Sequence, residues 1–280
     1  MTNTKNIKLG LFSYSYHLAF GAHDVFKPSK KINFFDFLDK CKDMGLDGIQ
    51  IDAMHLESFE DSYLNKIKER CEEYGFYIEY GTTGVSEEHL IAQLEIAKKF
   101  GSSILRTYIG FDPSDKNINP EMEVKEAIRV LNIVKSKAEE YNIKIAIENH
   151  CDLKTDELLA LIKTVNSPYV GVCVDLGNFM IHLENPVDSV RKLAPYIVNT
   201  HFKDYNSKME NWGFQTFAVP FGEGKIDLKA VLKILLEECH LDRIMLEIPV
   251  KKEATEGATL AKEDYIVRKS VQYCREVLGI

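Results

Sequence analysis

Four short apolar segments in the second half of the chain each place a metal-ligand type of residue at or near their carboxyl end. These segments are Ile143 to Glu148, Val170 to Asp175, Ile197 to His201 and Ile244 to Glu247. A buried strand tolerates a charged residue mainly where it emerges from the sheet. Three carboxylates and one imidazole that converged without a counter-charge would repel one another and lose hydration. The pattern therefore predicts a divalent-cation site built from the ends of four consecutive strands.

Each of these residues also has a structural alternative. Glu148 could cap a helix or meet a lysine, and Asp175 stands in ordinary turn chemistry with Gly and Asn after it. His201 could be a hydrogen-bonded structural residue, and Glu247 could form a salt bridge with Arg106. Four consecutive strands that end in Glu, Asp, His and Glu at one height are hard to obtain from caps and salt bridges. The combination favours the metal site.

Strand-like and helix-like patterns alternate along all 280 residues, of which 45% are hydrophobic. This length is close to the roughly 250 residues typical of a (β/α)₈ barrel. The predicted strands are Leu9 to Tyr14, Gly48 to Ile51, Tyr77 to Tyr80, Ile104 to Ile109, Ile143 to Glu148, Val170 to Asp175, Ile197 to His201 and Ile244 to Ile248. The order predicts an α/β fold, a single (β/α)₈ TIM barrel over residues 1–280, with its site at the carboxyl ends of the strands.

Two connecting segments are longer than packing requires. Leu18 to Asn33 follows the first strand and Asn206 to Lys225 follows the seventh, so both are expected to cover a substrate. The second contains the only tryptophan, Trp212. Lys251 to Lys262 is polar, which predicts a mobile loop before the last helix. Pro220 to Lys225 contains two glycines around an acid, and a turn is expected there.

Composition argues against several classes of protein. Lys and Arg total 35 against 43 Asp and Glu, for a formal charge of -8, so no basic surface for nucleic acid is expected. The polar start, residues 1–6, and the lack of a run of about 20 apolar residues predict a cytoplasmic protein without membrane contact. The six cysteines are scattered without a CxxC pair, as in a reducing compartment.

Oxygen-rich ligation with one imidazole suits Mn²⁺, Mg²⁺ or Co²⁺ somewhat better than a structural zinc, although a Zn²⁺ ion is left open. Four protein ligands leave one or two positions on a five- or six-coordinate ion. Those positions are enough for two adjacent oxygens of a substrate.

At these residues the chain resembles the xylose-isomerase-like superfamily of TIM barrels, which includes sugar phosphate isomerases and epimerases. The resemblance covers essentially the whole chain and is specific for the superfamily rather than for one member. The motifs that carry it are Ala146-Ile-Glu-Asn-His150, Val174-Asp-Leu-Gly-Asn178, His201-Phe-Lys-Asp204, Pro220-Phe-Gly-Glu-Gly-Lys225 and Leu246-Glu-Ile-Pro249.

The resemblance implies that Glu148, Asp175, His201 and Glu247 hold one divalent ion. It also implies that the two glutamates serve as proton donor and acceptor on opposite faces of a substrate. The implied activity is isomerisation or epimerisation of a small keto-sugar or related hydroxy-carbonyl compound through an enediolate. A metal-dependent lyase or dehydratase acting on a keto-inositol or 3-keto-glycoside is the alternative, followed by a non-catalytic sugar-binding barrel. Similar barrels are commonly homo-oligomers, which leaves the assembly of this chain open.

Two departures from the superfamily pattern narrow the implied activity. Asn178 stands where many members have a histidine, and Ser207 stands where some ketose 3-epimerases have an arginine. A 3-epimerase of free ketoses is therefore less expected. The extra histidines of the apurinic endonucleases are missing around Gln215 to Phe217, which argues against DNA repair.

Five further residues are predicted to contact the substrate: Arg106, His150, Asn178, Lys203 and His17. Arg106 needs a carboxylate, either that of Glu247 or one on the substrate. Lys203 would neutralise a substrate anion or pair with Asp204.

The remaining assignments are less direct. His150 would contact substrate or donate to a backbone carbonyl. His17 and Glu79 are expected at the opposite wall of the pocket.

Overall fold

Eight parallel strands form a barrel at the centre of the protein, whose computed structural model describes residues 7–280. The polar residues 1–6 lie outside this range. The strands within it are β1 (Lys8–Phe12), β2 (Gly48–Asp52), β3 (Tyr77–Gly81), β4 (Ile104–Thr107), β5 (Lys144–Glu148), β6 (Val170–Asp175), β7 (Ile197–His201), β8 (Tyr205–Glu210), β9 (Gly213–Ala218) and β10 (Arg243–Leu246). The barrel order is β10-β1-β2-β3-β4-β5-β6-β7, and a parallel bridge from Phe202 to Leu246 joins its two ends. The predicted (β/α)₈ TIM barrel is confirmed.

Helices connect the strands and surround the barrel. They are α1 (His17–Phe20), α2 (Phe34–Asp43), α3 (Asp61–Tyr74), α4 (Glu87–Phe100), α5 (Pro120–Tyr141), α6 (Thr155–Val165), α7 (Leu176–Ile181), α8 (Pro186–Leu193), α9 (Leu228–Glu237) and α10 (Glu256–Tyr273). Gly75 and Gly101 end α3 and α4 in the left-handed conformation, which spares these turns the strain that a side chain would introduce. In residues 7–280 we find no helix with the length and apolar character of a membrane span.

Three barrel strands, β1, β4 and β10, end two residues earlier than the sequence predicted, and side-chain hydrogen bonds replace the strand ladder there. After β10 the Ile248 amide donates to the Ser15 hydroxyl at 3.0 Å. β1 stops at Phe12, and a 3₁₀ turn follows in which the Ser13 hydroxyl accepts a hydrogen bond from the Asp52 amide at 2.9 Å. β4 stops at Thr107, whose hydroxyl donates to the Gly84 carbonyl at 2.8 Å. The polypeptide therefore leaves the direction of these strands at the carboxyl mouth of the barrel.

Regular structure that the sequence analysis missed lies in all three segments between predicted elements, and Leu18 to Asn33 begins inside α1. The segment Asn206 to Lys225 forms most of an antiparallel hairpin of β8 and β9, with Trp212 fully exposed at its turn. The prediction of a loop over Lys251 to Lys262 is wrong in its second half, since α10 begins at Glu256. The Thr255 hydroxyl accepts the amide of Ala258 and fixes that start.

A turn after the hairpin is fastened to the end of the seventh barrel strand by one buried carboxylate. Asp204 accepts the amides of Gly222 and Gly224 through Oδ2, at 2.9 and 3.0 Å. A Cβ atom on Gly224 would lie 1.8 Å from Asp204 Oδ1 and 2.7 Å from the Tyr205 carbonyl oxygen. The sequence Gly222-Glu-Gly224 is therefore required for a close backbone approach, and it forms the predicted turn.

Gly224→Ala is expected to lower the free energy of unfolding by about 3 kcal/mol or more, because neither the buried carboxylate nor the backbone can yield easily. Gly257→Ala is the matched control, since a Cβ there meets nothing within 4 Å. Urea unfolding followed by far-UV circular dichroism measures both. Equal stabilities of the two variants would contradict the proposed contact.

Candidate metal centre

Four acidic or imidazole side chains meet at the carboxyl mouth of the barrel. Glu148, Asp175 and His201 end β5, β6 and β7, and Glu247 directly follows β10. One ligand-type atom from each lies within 4.8 Å of the other three, and all four side chains are buried. The structure thus brings together the four residues that the sequence analysis selected.

Local hydrogen bonds set the direction of the Asp175 carboxylate. Its Oδ1 caps α7 by accepting the amides of Gly177 and Asn178 at 2.9 and 3.1 Å, which leaves Oδ2 directed toward the other three residues. The Asn149 side chain accepts the Asp175 amide and donates to its carbonyl, so β5 and β6 are clamped together at this height. Asp175 therefore serves both as a helix cap and as a candidate ligand.

Three buried atoms at the centre of the cluster lack a well-aligned hydrogen bond: Asp175 Oδ2, His201 Nδ1 and Glu247 Oε2. The imidazole nitrogen lies 2.7 Å from the Glu247 oxygen and 3.3 Å from Glu148 Oε2. Unpaired buried polar atoms are rare and costly. A divalent cation that accepts carboxylate oxygens and one imidazole nitrogen fits this donor set.

Two cations pair with the cluster, and neither has the protein partner that the sequence suggested. Arg106 contacts Glu148 Oε2 through both Nε and Nη2, not Glu247. Lys203 lies 2.5 Å from Asp175 Oδ2 and 2.9 Å from Glu247 Oε1, so its pairing with Asp204 is wrong. Arg106 meets Glu148 because β4 pairs directly with β5, the strand that Glu148 ends.

These charges decide which groups are ionised. Burial opposes ionisation of Glu148, but the Arg106 guanidinium and His201 outweigh it and hold the pKa of that carboxyl well below its usual range. Burial likewise opposes ionisation of Glu247, yet Lys203 and His201 lower its pKa to about 2. Burial raises the pKa of Asp175 to about 7 against the effect of Lys203. The cluster therefore contains at least two ionised carboxylates at neutral pH.

A cleft of about 310 Å³ opens above the cluster. It is lined by Phe12, Tyr14, His23, Asp52, Met54, Thr83, Arg106, Tyr108, Glu148, His150, Cys151, Asn178, Ile181, Lys203, Tyr205, Glu247 and Pro249. Arg106, His150, Asn178 and Lys203 of the predicted substrate contacts are among these residues. His17 is not, because it stacks on the Tyr14 ring at 4.8 Å between centroids and Tyr14 forms the wall.

Several lining residues were not predicted. Asp52 ends β2 after two buried isoleucines, so the strand-end pattern that selected Glu148 would also have found it. Tyr108 carries no such signal; its ring stacks on His150 with centroids 4.0 Å apart and forms one side of the cleft.

Asn178, one of the predicted residues, lies on the first turn of α7 and donates to Glu148 Oε1 at 3.1 Å.

Glu79, which was expected at the pocket wall, lies deeper. It is fully buried inside the barrel at the middle of β3 and does not line the cleft. Side-chain amides of Gln50 and Asn199 donate to it.

Comparison with known proteins identifies a matching family model and several relatives of this chain. The family model described as xylose isomerase-like TIM barrel matches residues 38–276. A 3-oxo-isoapionate decarboxylase of Pectobacterium atrosepticum is 29% identical over 84% of this chain and 85% of its own length. A D-psicose 3-epimerase of Agrobacterium fabrum is 22% identical over 88% and 94%. Relatives with different activities are thus similar to this chain in sequence.

A solved structure shows the same architecture. The IOLI protein with a bound zinc atom superposes with a TM-score of 0.73 over 98% of both chains, at 20% sequence identity. At this identity the likeness establishes the fold, and the zinc is a property of that protein.

Glu247→Gln preserves the shape of the side chain but removes one charged candidate ligand, so we expect it to weaken the response to metal. Mn²⁺ at a hundred times its dissociation constant should stabilise the native protein by about 2.7 kcal/mol and raise Tm by several degrees. The variant should lose most of this shift. Thermal unfolding with and without Mn²⁺, together with metal analysis, measures it.

The control is Glu263→Gln, which also removes a buried carboxylate but one that accepts the amides of Leu18 and Ala19 outside the cluster. It should retain the shift of the native protein. Identical Mn²⁺ responses in Glu247→Gln and the native protein would count against the metal centre.

Proposed function

The chain belongs to the xylose isomerase-like TIM-barrel family, and from this premise we propose that it is a divalent-metal-dependent isomerase or epimerase of a small keto-sugar or related hydroxy-carbonyl compound. The observation that carries the proposal is the convergence of Glu148, Asp175, His201 and Glu247 within 4.8 Å beneath a polar cleft. Known TIM-barrel enzymes have their active sites at this face of the barrel.

Glu148, Asp175, His201 and Glu247 would hold the ion. A divalent cation bound there supplies Lewis acidity, which stabilises negative charge on the oxygens of a keto-sugar. Its own positive charge also offsets the repulsion among the buried carboxylates. Mn²⁺ and Mg²⁺ suit such an oxygen-rich set.

Glu148 and Glu247 are the proposed proton-transfer groups. They come from β5 and from the end of β10, which β6 and β7 separate in the barrel, so they approach the cleft from different sides. One glutamate in its ionised form would accept a carbon-bound proton next to a carbonyl, and the negative charge would pass to the enediolate. Delivery of a proton by the other glutamate, protonated from solvent, to the opposite face of that carbon would epimerise it. Return of the first proton to the neighbouring carbon, with transfer of a hydroxyl proton between the two oxygens, would isomerise the sugar.

The other cleft residues would orient the substrate. Lys203 and Arg106 are buried cations beside the reacting carboxylates, where they can stabilise an enediolate oxygen. The stacked rings of Tyr108 and His150 offer a flat wall with polar edges. Asn178 holds Glu148 by a hydrogen bond and has no proton to transfer, so its proposed role is orientation.

A second candidate is a lyase that decarboxylates a 3-oxo sugar acid. Lys203 favours it, because a buried ammonium beside the cleft is a natural counter-ion for a substrate carboxylate. The relative that is 29% identical is a decarboxylase. In this reaction the bond to the carboxylate breaks, its electron pair forms the enolate, carbon dioxide leaves, and a proton is added to the same carbon.

Deuterium exchange distinguishes the two outcomes. In D₂O with Mn²⁺, an isomerase or epimerase should introduce deuterium next to the carbonyl of a keto-sugar such as D-fructose or D-psicose, as seen by NMR. EDTA, Glu148→Gln and Glu247→Gln should each abolish the exchange. If the Mn²⁺-loaded protein leaves every ketose unlabelled and unconverted but releases carbon dioxide from 3-oxo-isoapionate, the isomerase proposal fails and the lyase stands.

Lys203→Met should separate metal binding from turnover. The ammonium competes with a cation for Asp175 and Glu247, so its removal is expected to tighten Mn²⁺ binding about tenfold or more while turnover falls. Titration of Mn²⁺ and steady-state rates at saturating Mn²⁺ measure the two effects. Weaker Mn²⁺ binding in this variant would contradict the competition, and Lys208→Met on the exposed hairpin is the control.

A further inference from the structure

The barrel interior contains a polar layer directly beneath the metal centre. Gln50 in β2, Glu79 in β3 and Asn199 in β7 are all fully or almost fully buried, where TIM barrels mostly carry branched apolar residues. Gln50 and Glu79 are also paired in register across β2 and β3. Neither Glu79 nor Asn199 lines the cleft, so contact with substrate does not explain the layer.

Hydrogen bonds connect this layer to one candidate ligand. Gln50 Oε1 lies 2.7 Å from His201 Nε2. The amide oxygen can only accept, so the histidine nitrogen must carry the proton. The other ring nitrogen, Nδ1, is then the one that faces Glu148, Asp175 and Glu247 and would bind a cation held there.

The orientation of the Gln50 amide is itself fixed by Glu79. Gln50 Nε2 donates to Glu79 Oε2 at 3.1 Å and to Asn199 Oδ1 at 3.2 Å, and Asn199 Nδ2 donates to the same Glu79 oxygen at 2.7 Å. One oxygen, Glu79 Oε2, accepts both of these hydrogen bonds, so both amides must turn their nitrogen atoms toward it. The oxygen of Gln50 is therefore left facing His201.

We propose that Glu79 is a positioning residue which, through Gln50, selects the ring nitrogen of His201 that binds the cation. The inference depends on the metal centre of the proposed function and adds a residue that does not touch it. Glu79 is held from its other side by Arg243, whose Nη1 is 3.9 Å from Oε1 at the amino-terminal end of β10. The hydrogen bonds that orient the His201 ring thus begin with residues below the metal centre.

The alternative is that the three residues merely satisfy one another's hydrogen bonds. A double-mutant cycle separates the two explanations, because residues that act in series have non-additive effects. The variants are Glu79→Gln, which lets the Gln50 amide reverse, Gln50→Met, which removes the acceptor, and the combination of both. Tyr80→Phe is the control: it removes one buried hydrogen bond from the same strand, to Gln93, outside the network.

Mn²⁺ affinity, measured by electron paramagnetic resonance of the free ion, should fall about 10- to 100-fold in each single variant. The double variant should bind within about twofold of Gln50→Met alone, and Tyr80→Phe should bind like the native protein. Native affinity in Glu79→Gln, or additive losses in the double variant, would overturn the proposal.

A metal-free measurement keeps this test independent of the proposed function. In ¹⁵N-histidine-labelled protein without metal, the hydrogen-bonded Nε2 proton of His201 should give a slowly exchanging NMR signal in the native protein and in Tyr80→Phe. It should be lost in Gln50→Met and should exchange faster in Glu79→Gln. Absence of this signal from the native protein overturns the positioning role, whereas its presence without any Mn²⁺ binding refutes the metal centre alone.

Discussion

The mutual repulsion of three buried carboxylates is the constraint on which the rest of the site depends. Glu148, Asp175 and Glu247 surround one imidazole with almost no access to water, and such a cluster folds only with compensating positive charge. Arg106 and Lys203 supply part of it. Three central atoms, Asp175 Oδ2, His201 Nδ1 and Glu247 Oε2, still lack a well-aligned hydrogen bond, and a bound cation would supply a common partner for them.

The two sides of the cluster are supported by different means. Glu148 accepts hydrogen bonds from the Arg106 guanidinium and from the Asn178 side-chain amide, which together fix the position of its carboxylate. Glu247 is held by Lys203, a single point charge on a flexible stem. The two glutamates therefore differ in the number and geometry of the hydrogen-bond donors that hold them.

The sequence was sufficient to predict the strand ends that form the cluster, because a charged residue that follows a buried apolar run must lie where the strand emerges from the sheet. It could not identify the partners of Arg106 or His201. Those contacts cross the barrel between residues that are distant in sequence, and they depend on which strands lie side by side and on which way each alternation points.

Local hydrogen bonds explain the remaining errors. The end of β1 depends on Ser13 meeting Asp52, and the start of α10 depends on the cap by Thr255. Hydrophobic periodicity does not predict these two boundaries, because each depends on a hydrogen bond made by a single hydroxyl group. Asp52 differs from these residues, because it ends a buried strand in the first half of the chain and the pattern that identified Glu148 also predicts it.

The exposed tip of the β8–β9 hairpin has a consequence for spectroscopy. Trp212 is the protein's single indole, and it lies in solvent at a turn rather than in the barrel. Its emission already has the environment of the unfolded chain, so intrinsic fluorescence excited at the indole band would change little when the barrel melts. The same isolation makes Trp212 a local reporter, whose quenching or blue shift would register anything that comes to rest on the hairpin.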